Sequence, residues 1–261
     1  MYLGGPCFEY IIACFLTHST SRSIFVQFNV TAFGLLAAVD RNTVRTHAAL
    51  SNLAQLFPSH ADGTEEMSPF LTVQDFDEFA AVSRELSGAR SVSYCPFIWD
   101  ERARMSWEQY SVAEQSWMES TTDAVLEPIP PRIWLSDGNG VGMVDPGPAP
   151  YAPLWQVSPI PVTDTSMINF NMASDARVVE WMTVQLEQNT SWSFLSQPGY
   201  HSILVPSSGE LVEPTSLAWI PVLESRFAME SDEEPQVSGA LVADMPWTTI
   251  LSNVSCVMAD S

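Results

Sequence analysis

The side chains that most often carry enzyme chemistry are sparse in this chain, and their spacing matches no catalytic motif. All ten basic residues are arginine, because the sequence contains no lysine. A P-loop lysine, a Schiff base and a lysine general base are therefore excluded, together with the kinase, P-loop and pyridoxal classes that need them. Neither G-x-S-x-G nor H-E-x-x-H occurs, and no common spacing joins the four histidines, which are His18, His47, His60 and His201.

Serine and acidic residues leave one catalytic alternative open. The residues of a Ser/His/acid triad come together in space and need not be close in sequence, so the lack of a local motif does not exclude a triad. The paired acids Asp100-Glu101 and Glu233-Glu234 are adjacent in sequence, which suits capping and solvation better than the separated carboxylates of a glycosidase. We therefore predict no catalytic residue, and the alternative is a secreted hydrolase with a spatially assembled acid or Ser/His site.

The sequence also lacks the residue spacings that are typical of metal and cofactor sites. The segment "DGNGVGM", Asp137–Met143, precedes a proline-rich stretch rather than a helix, which predicts a turn and not a dinucleotide site. As a calcium loop it would place Pro148 where a bidentate glutamate is needed. The cysteines form neither a C-x-x-C pair nor a zinc spacing; they are Cys7, Cys14, Cys95 and Cys256. We predict no metal and no cofactor.

Charge restricts the class of partner. Acidic residues outnumber basic residues 31 to 10, and the formal net charge is −21. Such a charge repels nucleic-acid phosphates and anionic lipid surfaces, so we expect no nucleic-acid partner. Three N-x-[ST] sequons, at Asn29, Asn189 and Asn253, are candidate glycosylation sites if the chain enters a secretory lumen.

Aromatic residues are the main candidates for a functional site. The chain holds nine tryptophans, thirteen phenylalanines and six tyrosines. Those near strand ends and loops could line a small-ligand pocket, and asparagine amides could form hydrogen bonds with the ligand. The candidate ligand-binding residues are Tyr94, Trp117, Arg132, Tyr151, Trp155, Asn169 and Asn171. This composition favours binding over catalysis.

Helical and strand patterns in the first half predict the elements that position these residues. Apolar residues recur at helical spacing over residues 25–57, which predicts one long helix or two in line. A second helix is predicted over Val73–Leu86, capped by Thr72 and closed by Gly88. The alternation over Ser91–Trp99 predicts a strand near a sheet edge, because Pro96 within it cannot donate to a ladder.

The segment after this strand predicts a helix with one aromatic face. Asp100 is placed to cap the helix, which we expect to extend to about Ser120. Trp107, Tyr110 and Trp117 follow helical spacing along one side. This aromatic face is expected to seal the helix onto the core.

The second half of the chain changes from proline-rich segments to strands. Proline recurs over Leu126–Pro161, which excludes helices there and leaves room for short strands at Arg132–Leu135 and Leu154–Val157. A helix is predicted over Ser174–Gln188. The remaining predictions are strands at His201–Pro206, Leu217–Glu224 and Gly239–Asp244, and a short terminal helix from Met245 to about Val254. This order of elements predicts an α+β fold.

Several longer segments resemble a known family. They are "FDEFAAVSRELSGARSVSYCPFIWDERARMSWEQYSVAEQSWM", "INFNMASD", "GYHSILVPSSG" and "VSGALVADMPWTTILSNV". Their order resembles the extracellular sensor region of the large receptor-type nucleotide cyclases of diatoms, guanylate or adenylate cyclases. The most specific parts are Leu86–Ala89, Trp107–Tyr110, Gln115–Trp117 and Pro246-Trp247.

The resemblance implies a fold and a function. The fold would be a PAS-like, Cache or CHASE-like antiparallel sheet with a long N-terminal helix and covering helices. The function would be non-enzymatic: the domain recognises an external small molecule and passes a conformational change to a separate cyclase domain. The resemblance does not give the ligand, and the amino-acid recognition pattern of some Cache domains is not matched at Gln115–Met118.

The resemblance also implies an organisation and a location. We expect a degraded or truncated membrane or signal segment at residues 1–23, one ligand-sensing domain at residues 24–255 and a tail at residues 256–261. The expected location is the extracellular side of the plasma membrane, or secretion if the chain is complete, and a homodimer could form through the N-terminal helix. A third functional class is an adhesion or protein-interaction module, which would show a flat exposed aromatic patch instead of a pocket.

Overall fold

The computed structural model describes the chain in two units. The described residues are 33–34, 36–57, 69–121, 129–137, 142–160, 165–188, 194–195, 214–223 and 237–251. The first unit comprises Met1–Thr43 and Ile250–Ser261, and the second comprises Val44–Thr249. In the first unit, residues 36–43 are helical, and the Asn42 side-chain amide donates to the Ile250 carbonyl at 2.8 Å.

The second unit contains the helices that matter for the site. Helix α1 covers residues 44–54. The other α-helices among the described residues are α2 (Phe76–Ser87), α3 (Glu101–Ala113), α4 (Ala176–Gln188) and α5 (Trp247–Ile250). Residues 247–249 of α5 belong to the second unit. Short 3-10 helices cover Ser116–Thr121 and Met172–Ser174. Among the described residues, no helix combines the length and the apolar character that a membrane crossing requires.

An antiparallel sheet forms the centre of the second unit. Its strands are β1 (Ser91–Pro96), β4 (Val157–Ser158), β5 (Phe194–Leu195), β6 (Thr215–Leu223) and β7 (Val237–Pro246). They lie in the order β4-β1-β7-β6-β5, and every pair in the sheet is antiparallel. With the helices, this sheet confirms the predicted α+β class with an antiparallel sheet.

A separate hairpin occupies the proline-rich region. Strands β2 (Trp134–Ser136) and β3 (Gly142–Val144) pair antiparallel, with Leu135 opposite Met143. Of the turn predicted over Asp137–Met143, Asp137 follows β2, whereas Gly142 and Met143 belong to β3. Residues 138–141 are outside the described part of the chain.

Strand β1 lies one position in from the edge of the sheet. It pairs with β7 over its whole length and with the two-residue β4 on the other side. Pro96 is its last residue, so the missing N–H removes no bond from the middle of the ladder. Opposite Pro96 lies Gly239, where an added Cβ would come within 2.7 Å of the Cys95 carbonyl oxygen. Close backbone approach therefore requires glycine at position 239.

The ends of α2 and α3 agree only partly with their predicted caps. Asp100 caps α3 as predicted, because its Oδ1 accepts from the Ala103 N–H at 2.7 Å. Helix α2 begins at Phe76 after Asp75, which has a left-handed φ of 56° and no side-chain cap bond, so the prediction of Thr72 as cap is wrong. Gly88 closes α2 at φ 74°, as predicted.

The aromatic core holds the elements together on both faces of the sheet. On one face, the Tyr94 ring of β1 lies 4.5 Å from the Phe57 ring, which also contacts Phe76 of α2. On the other face, Trp219 of β6 lies 5.6 Å from Trp181 of α4. Burial of such large rings stabilises this unit.

Candidate functional site

An open cleft lies between the start of α2 and the end of α3. Its volume is about 470 Å³, which falls in the range typical of small-molecule sites. One wall comes from residues 72–78 and the other from residues 110–117. The lining residues are Thr72, Gln74, Asp75, Phe76, Asp77, Glu78, Tyr110, Glu114, Ser116, Trp117 and Ile160.

Aromatic rings form the α3 side of this cleft and the layer behind it. The Trp155 ring contacts three other rings edge to face or tilted, at centroid distances of 5.3 Å to Trp107, 6.1 Å to Tyr110 and 5.6 Å to Trp117. Trp107 and Trp155 are fully buried. Tyr110 and Trp117 are partly exposed and line the cleft. The predicted residues Trp117 and Trp155 are thus brought together, with Trp117 on the cleft surface and Trp155 behind it.

Thr72 joins the two walls. Its Oγ1 accepts from the Trp155 indole N–H at 3.1 Å and lies 2.7 Å from the Tyr110 hydroxyl. The neighbouring backbone is held as well, because the Gln156 side-chain amide makes two 2.8 Å bonds with the backbone of Val73. The segment that leads into α2 is therefore fixed against the aromatic layer by hydrogen bonds as well as by packing.

The indole nitrogen of Trp117 has an unusual environment. Its Nε1 is shielded from water and has no hydrogen-bond partner among the described residues. A shielded donor without a partner costs about 1–3 kcal/mol, and indole nitrogens usually find an acceptor. The Trp117 ring lines the cleft, but its Nε1 is enclosed by protein atoms.

The cleft is acidic. Four carboxylates line it, and none of its described lining residues is basic. Three of them, Asp75, Asp77 and Glu78, lie at the N-terminal end of α2, where a helix favours negative charge. The Asp77 carboxylate also accepts from the Ser158 hydroxyl at 2.6 Å, which ties α2 to β4. The charge at this wall therefore has a structural cause.

Glu114 is the exception in this charge pattern. It is the C-terminal cap residue of α3, and the last turn of that helix contains no basic residue. A carboxylate at a helix C-terminus faces the negative end of the helix dipole, which is unfavourable. Glu114 is exposed and lines the cleft. Glu114 thus adds negative charge to the cleft without stabilising α3.

The carboxylates of the cleft do not form a metal centre. Within the described part of the chain, no group of three or more histidine, cysteine, aspartate or glutamate residues is arranged to hold a metal ion. The cleft therefore spreads its negative charge over two walls instead of concentrating it on one ion. No feature of the cleft indicates a cofactor.

Three other predicted ligand residues lie in a buried polar network. At its centre, Arg104 of α3 donates from Nη1 to the Tyr151 hydroxyl at 3.0 Å, from Nη2 to the Asp145 carbonyl at 2.8 Å and from Nε to Glu108 at 3.0 Å. The Tyr151 hydroxyl also contacts the carboxylate of Glu101. The guanidinium carbon of Arg104 lies 4.7 Å from the Tyr151 ring centroid.

This environment shifts two pKa values upward. Burial, followed by the hydrogen bond with Glu101, raises the pKa of the Tyr151 hydroxyl, although Arg104 partly offsets the rise. Burial opposes the charge on Arg104, but hydrogen bonds with Glu108 and Tyr151 outweigh it and raise the guanidinium pKa. Arg104 therefore stays charged and Tyr151 stays neutral at ordinary pH.

The two asparagines that were predicted to bind a ligand form hydrogen bonds with buried groups of the protein. Asn169 accepts from the Trp107 indole N–H at 3.0 Å and donates to Ser111 at 2.9 Å. Asn171 donates to the Asp145 carboxylate at 2.6 Å and accepts from the Ala152 N–H at 2.9 Å. Both side chains are buried. Neither asparagine lines the cleft.

The remaining predicted residues lie apart from the cleft. Tyr94 is fully buried against Phe57, and Arg132 is exposed just before β2. The candidate glycosylation sites, Asn29, Asn189 and Asn253, lie outside the described residues.

A Ser/His pair does occur, on α1. The Ser51 hydroxyl lies 3.3 Å from His47 Nδ1, and both line a second groove, of about 350 Å³, against β6. Residues four apart on a helix meet in this way without any catalytic requirement. The backbone N–H groups inside a helix are bonded to preceding carbonyls, so they cannot form an oxyanion hole beside Ser51.

Comparisons with known proteins do not identify the chain. No family model matches the sequence, and no curated protein matches it.

Proposed function

We propose that the chain is a ligand-sensing domain that binds a small molecule in the cleft between α2 and α3. The observation that carries the proposal is the cleft itself, which combines about 470 Å³ of open volume with the partly exposed rings of Tyr110 and Trp117. Its walls belong to different elements, so a ligand that contacts both changes the free energy of their relative placement. This combination suits a sensor better than a catalyst.

A route from the cleft to the N-terminal helix supports the sensor reading. Phe76, in the first turn of α2, contacts Phe57 at a centroid distance of 6.1 Å. Further along α2, the Ser83 hydroxyl donates to the Ala49 carbonyl of α1 at 3.3 Å. A ligand that draws the first turn of α2 toward Trp117 therefore acts on α1 through packed contacts. A displacement of α1 is the output that we propose.

The finer fold and the biological setting belong to the same proposal. The five-stranded antiparallel sheet with helices on its faces is compatible with a PAS-like, Cache or CHASE-like domain. The setting would be the extracellular sensor region of a receptor-type nucleotide cyclase, as the sequence resemblance implies. The cyclase itself would be a separate domain, and the described chain would contribute recognition only.

A thermal-shift screen tests the proposal. Amino acids, nucleobases, polyamines and carboxylates are added to the purified chain, and a ligand present at about 100 times its Kd should stabilise the fold by about 2.7 kcal/mol. At this chain length, that corresponds to a rise in Tm of roughly 5–10 °C. The shift should vanish in Trp117→Ala and persist in Trp99→Ala, whose ring is exposed and outside the cleft. The proposal fails if no compound binds, or if Trp117→Ala binds as well as the native chain.

A further inference from the structure

We propose that a second copy of this chain docks on the outer face of the helix pair α1 and α2, which gives a two-fold symmetric dimer. Two observations carry the proposal: an exposed apolar stripe on α2, and opposite charges on the exposed sides of the two helices. This dimer differs from one through the N-terminal helix alone, because α2 supplies the apolar contact. The proposal concerns a surface and does not depend on ligand binding.

Helix α2 exposes an apolar stripe at helical spacing. Phe79, Val82 and Leu86 follow the i, i+3, i+7 pattern and are 39%, 59% and 53% exposed. Alternate steps of three and four residues are the spacing of a seam between two helices. The helix already buries its other side in the fold, at Phe76 and Ala80 among others. The stripe is therefore a second apolar face, of the kind that marks an interaction surface.

Helix α1 lies beside α2 and runs in the opposite direction. The Ser83 hydroxyl of α2 donates to the Ala49 carbonyl of α1 at 3.3 Å. Phe76, at the start of α2, contacts Phe57, which follows the end of α1. The start of α2 is therefore level with the end of α1, and the end of α2 is level with the start of α1.

The exposed stripes of the two helices border the same contact. On α2, the stripe includes the residues four before and three after Ser83. On α1, Arg45 and Asn52 have the same offsets from Ala49, and both are exposed, as is Ala48 between them. Residues three or four apart share one side of a helix, so the two stripes lie next to each other and form one outer face.

The charges on this face complement each other across a two-fold axis. Residues 44–54 of α1 include Arg45 and no acidic residue, whereas the exposed side of α2 carries Glu78 and Glu85. Because the helices are antiparallel, Arg45 is level with Glu85, near the end of α2. An axis along the seam between the helices lays α1 of one copy on α2 of the other. It brings Arg45 of each copy to Glu85 of the other, so the attractive contact forms twice.

The same charges disfavour the other symmetric pairing. An axis across the helices would lay α2 on α2 and set acidic residues of the two copies against each other, which is unfavourable. The net charge of −21 also opposes association in general. The helix pair offers a face of roughly 18 by 20 Å, which is small for a stable interface, so we expect a dimer Kd of about 10–100 µM.

Sedimentation equilibrium of the whole chain, from about 1 to 500 µM, tests the proposal by a charge swap. Arg45→Glu and Glu85→Arg should each raise the dimer Kd about tenfold, because each turns two attractive contacts into repulsive ones. The double variant should return the Kd to about the native value. Glu180→Arg, at an exposed position of α4, changes the net charge as Glu85→Arg does and should leave the Kd unchanged.

A matched pair of valines tests the apolar stripe. Val82→Asp should raise the dimer Kd about tenfold, whereas Val112→Asp, on the exposed side of α3, should not. Both positions are exposed, and circular dichroism checks that the variants keep the native helix content.

Three results would overturn the proposal. They are a native chain that stays monomeric at the highest concentration, a double variant that dimerises no better than the single variants, and equal effects of Val82→Asp and Val112→Asp. The ligand proposal is tested separately by the thermal-shift screen, so either proposal can fail without the other.

Discussion

The indole N–H of Trp155 donates to Thr72 Oγ1 at 3.1 Å and so fastens the aromatic layer of α3 to the segment that begins α2. The same hydroxyl meets the Tyr110 hydroxyl at 2.7 Å. Thr72 thus links the two cleft walls. Removing this hydroxyl would take away the acceptor of the Trp155 indole N–H.

Thr72→Val should therefore destabilise the fold although it preserves the shape of the side chain. The buried Trp155 indole would lose its acceptor, and we expect a loss of about 1–3 kcal/mol in the free energy of unfolding. Urea denaturation measures the change. Thr72→Ser retains the hydroxyl and serves as the control. Equal stability of Thr72→Val and the native chain would show that this bond does not hold the walls.

Arg104→Met should be among the most damaging single substitutions in the described residues. The guanidinium of Arg104 satisfies the Asp145 carbonyl, the Glu108 carboxylate and the Tyr151 hydroxyl. Removing one partner from a buried charged network typically costs about 3–5 kcal/mol. Urea denaturation should show this loss, and Arg104→Lys should recover only part of it, because an ammonium lacks the planar fork of donors. A loss below about 1 kcal/mol would contradict the role assigned to the network.

Stability should fall at alkaline pH because of Tyr151. Its pKa in the folded chain is raised above the ordinary value of 10.0, so the folded state holds this proton more tightly than the unfolded state. The contribution is therefore fully present below pH 10 and is lost as the pH rises through the folded pKa. Tyr151→Phe should reduce the alkaline slope of the unfolding free energy. Burial also raises the pKa of the Cys95 thiol, so part of the slope should remain in this variant.

Glu114→Gln should stabilise the fold. Removing a negative charge from the C-terminal end of α3 is expected to contribute about 0.3–1 kcal/mol. The gain should shrink at high salt, as expected of a screened surface charge. Thermal denaturation at low and high salt measures it, with Glu85→Gln as the control. A destabilised Glu114→Gln would contradict the view that this carboxylate is unfavourable for the helix.

The regular elements could be predicted largely from local patterns. The aromatic spacing of Trp107 and Tyr110 and the cap Asp100 locate α3, and Gly88 locates the end of α2. Thr72 was misassigned because threonine before a helix suggests a cap, whereas here its hydroxyl is taken by Tyr110 and Trp155. A side chain with two possible uses cannot be assigned without knowing its spatial neighbours.

The site was predicted less completely, for the same physical reason. Trp117 was identified as a candidate, and it does line the cleft, but Asn169 and Asn171 satisfy buried groups that the sequence does not reveal. Tyr110 was placed on the core face only, and Glu114 was not singled out. A carboxylate at a predicted helix C-terminus, against the usual charge preference, is the signal that could have identified Glu114.

The most direct test of the account follows the Trp117 indole N–H resonance by two-dimensional NMR while a ligand from the thermal-shift screen is added. Trp117→Phe assigns the resonance, and the fully buried Trp219 indole serves as an internal control. A ligand that binds in the cleft should move the Trp117 resonance saturably while the Trp219 resonance stays in place. An unchanged Trp117 resonance at full saturation would contradict the central claim that the cleft binds the ligand.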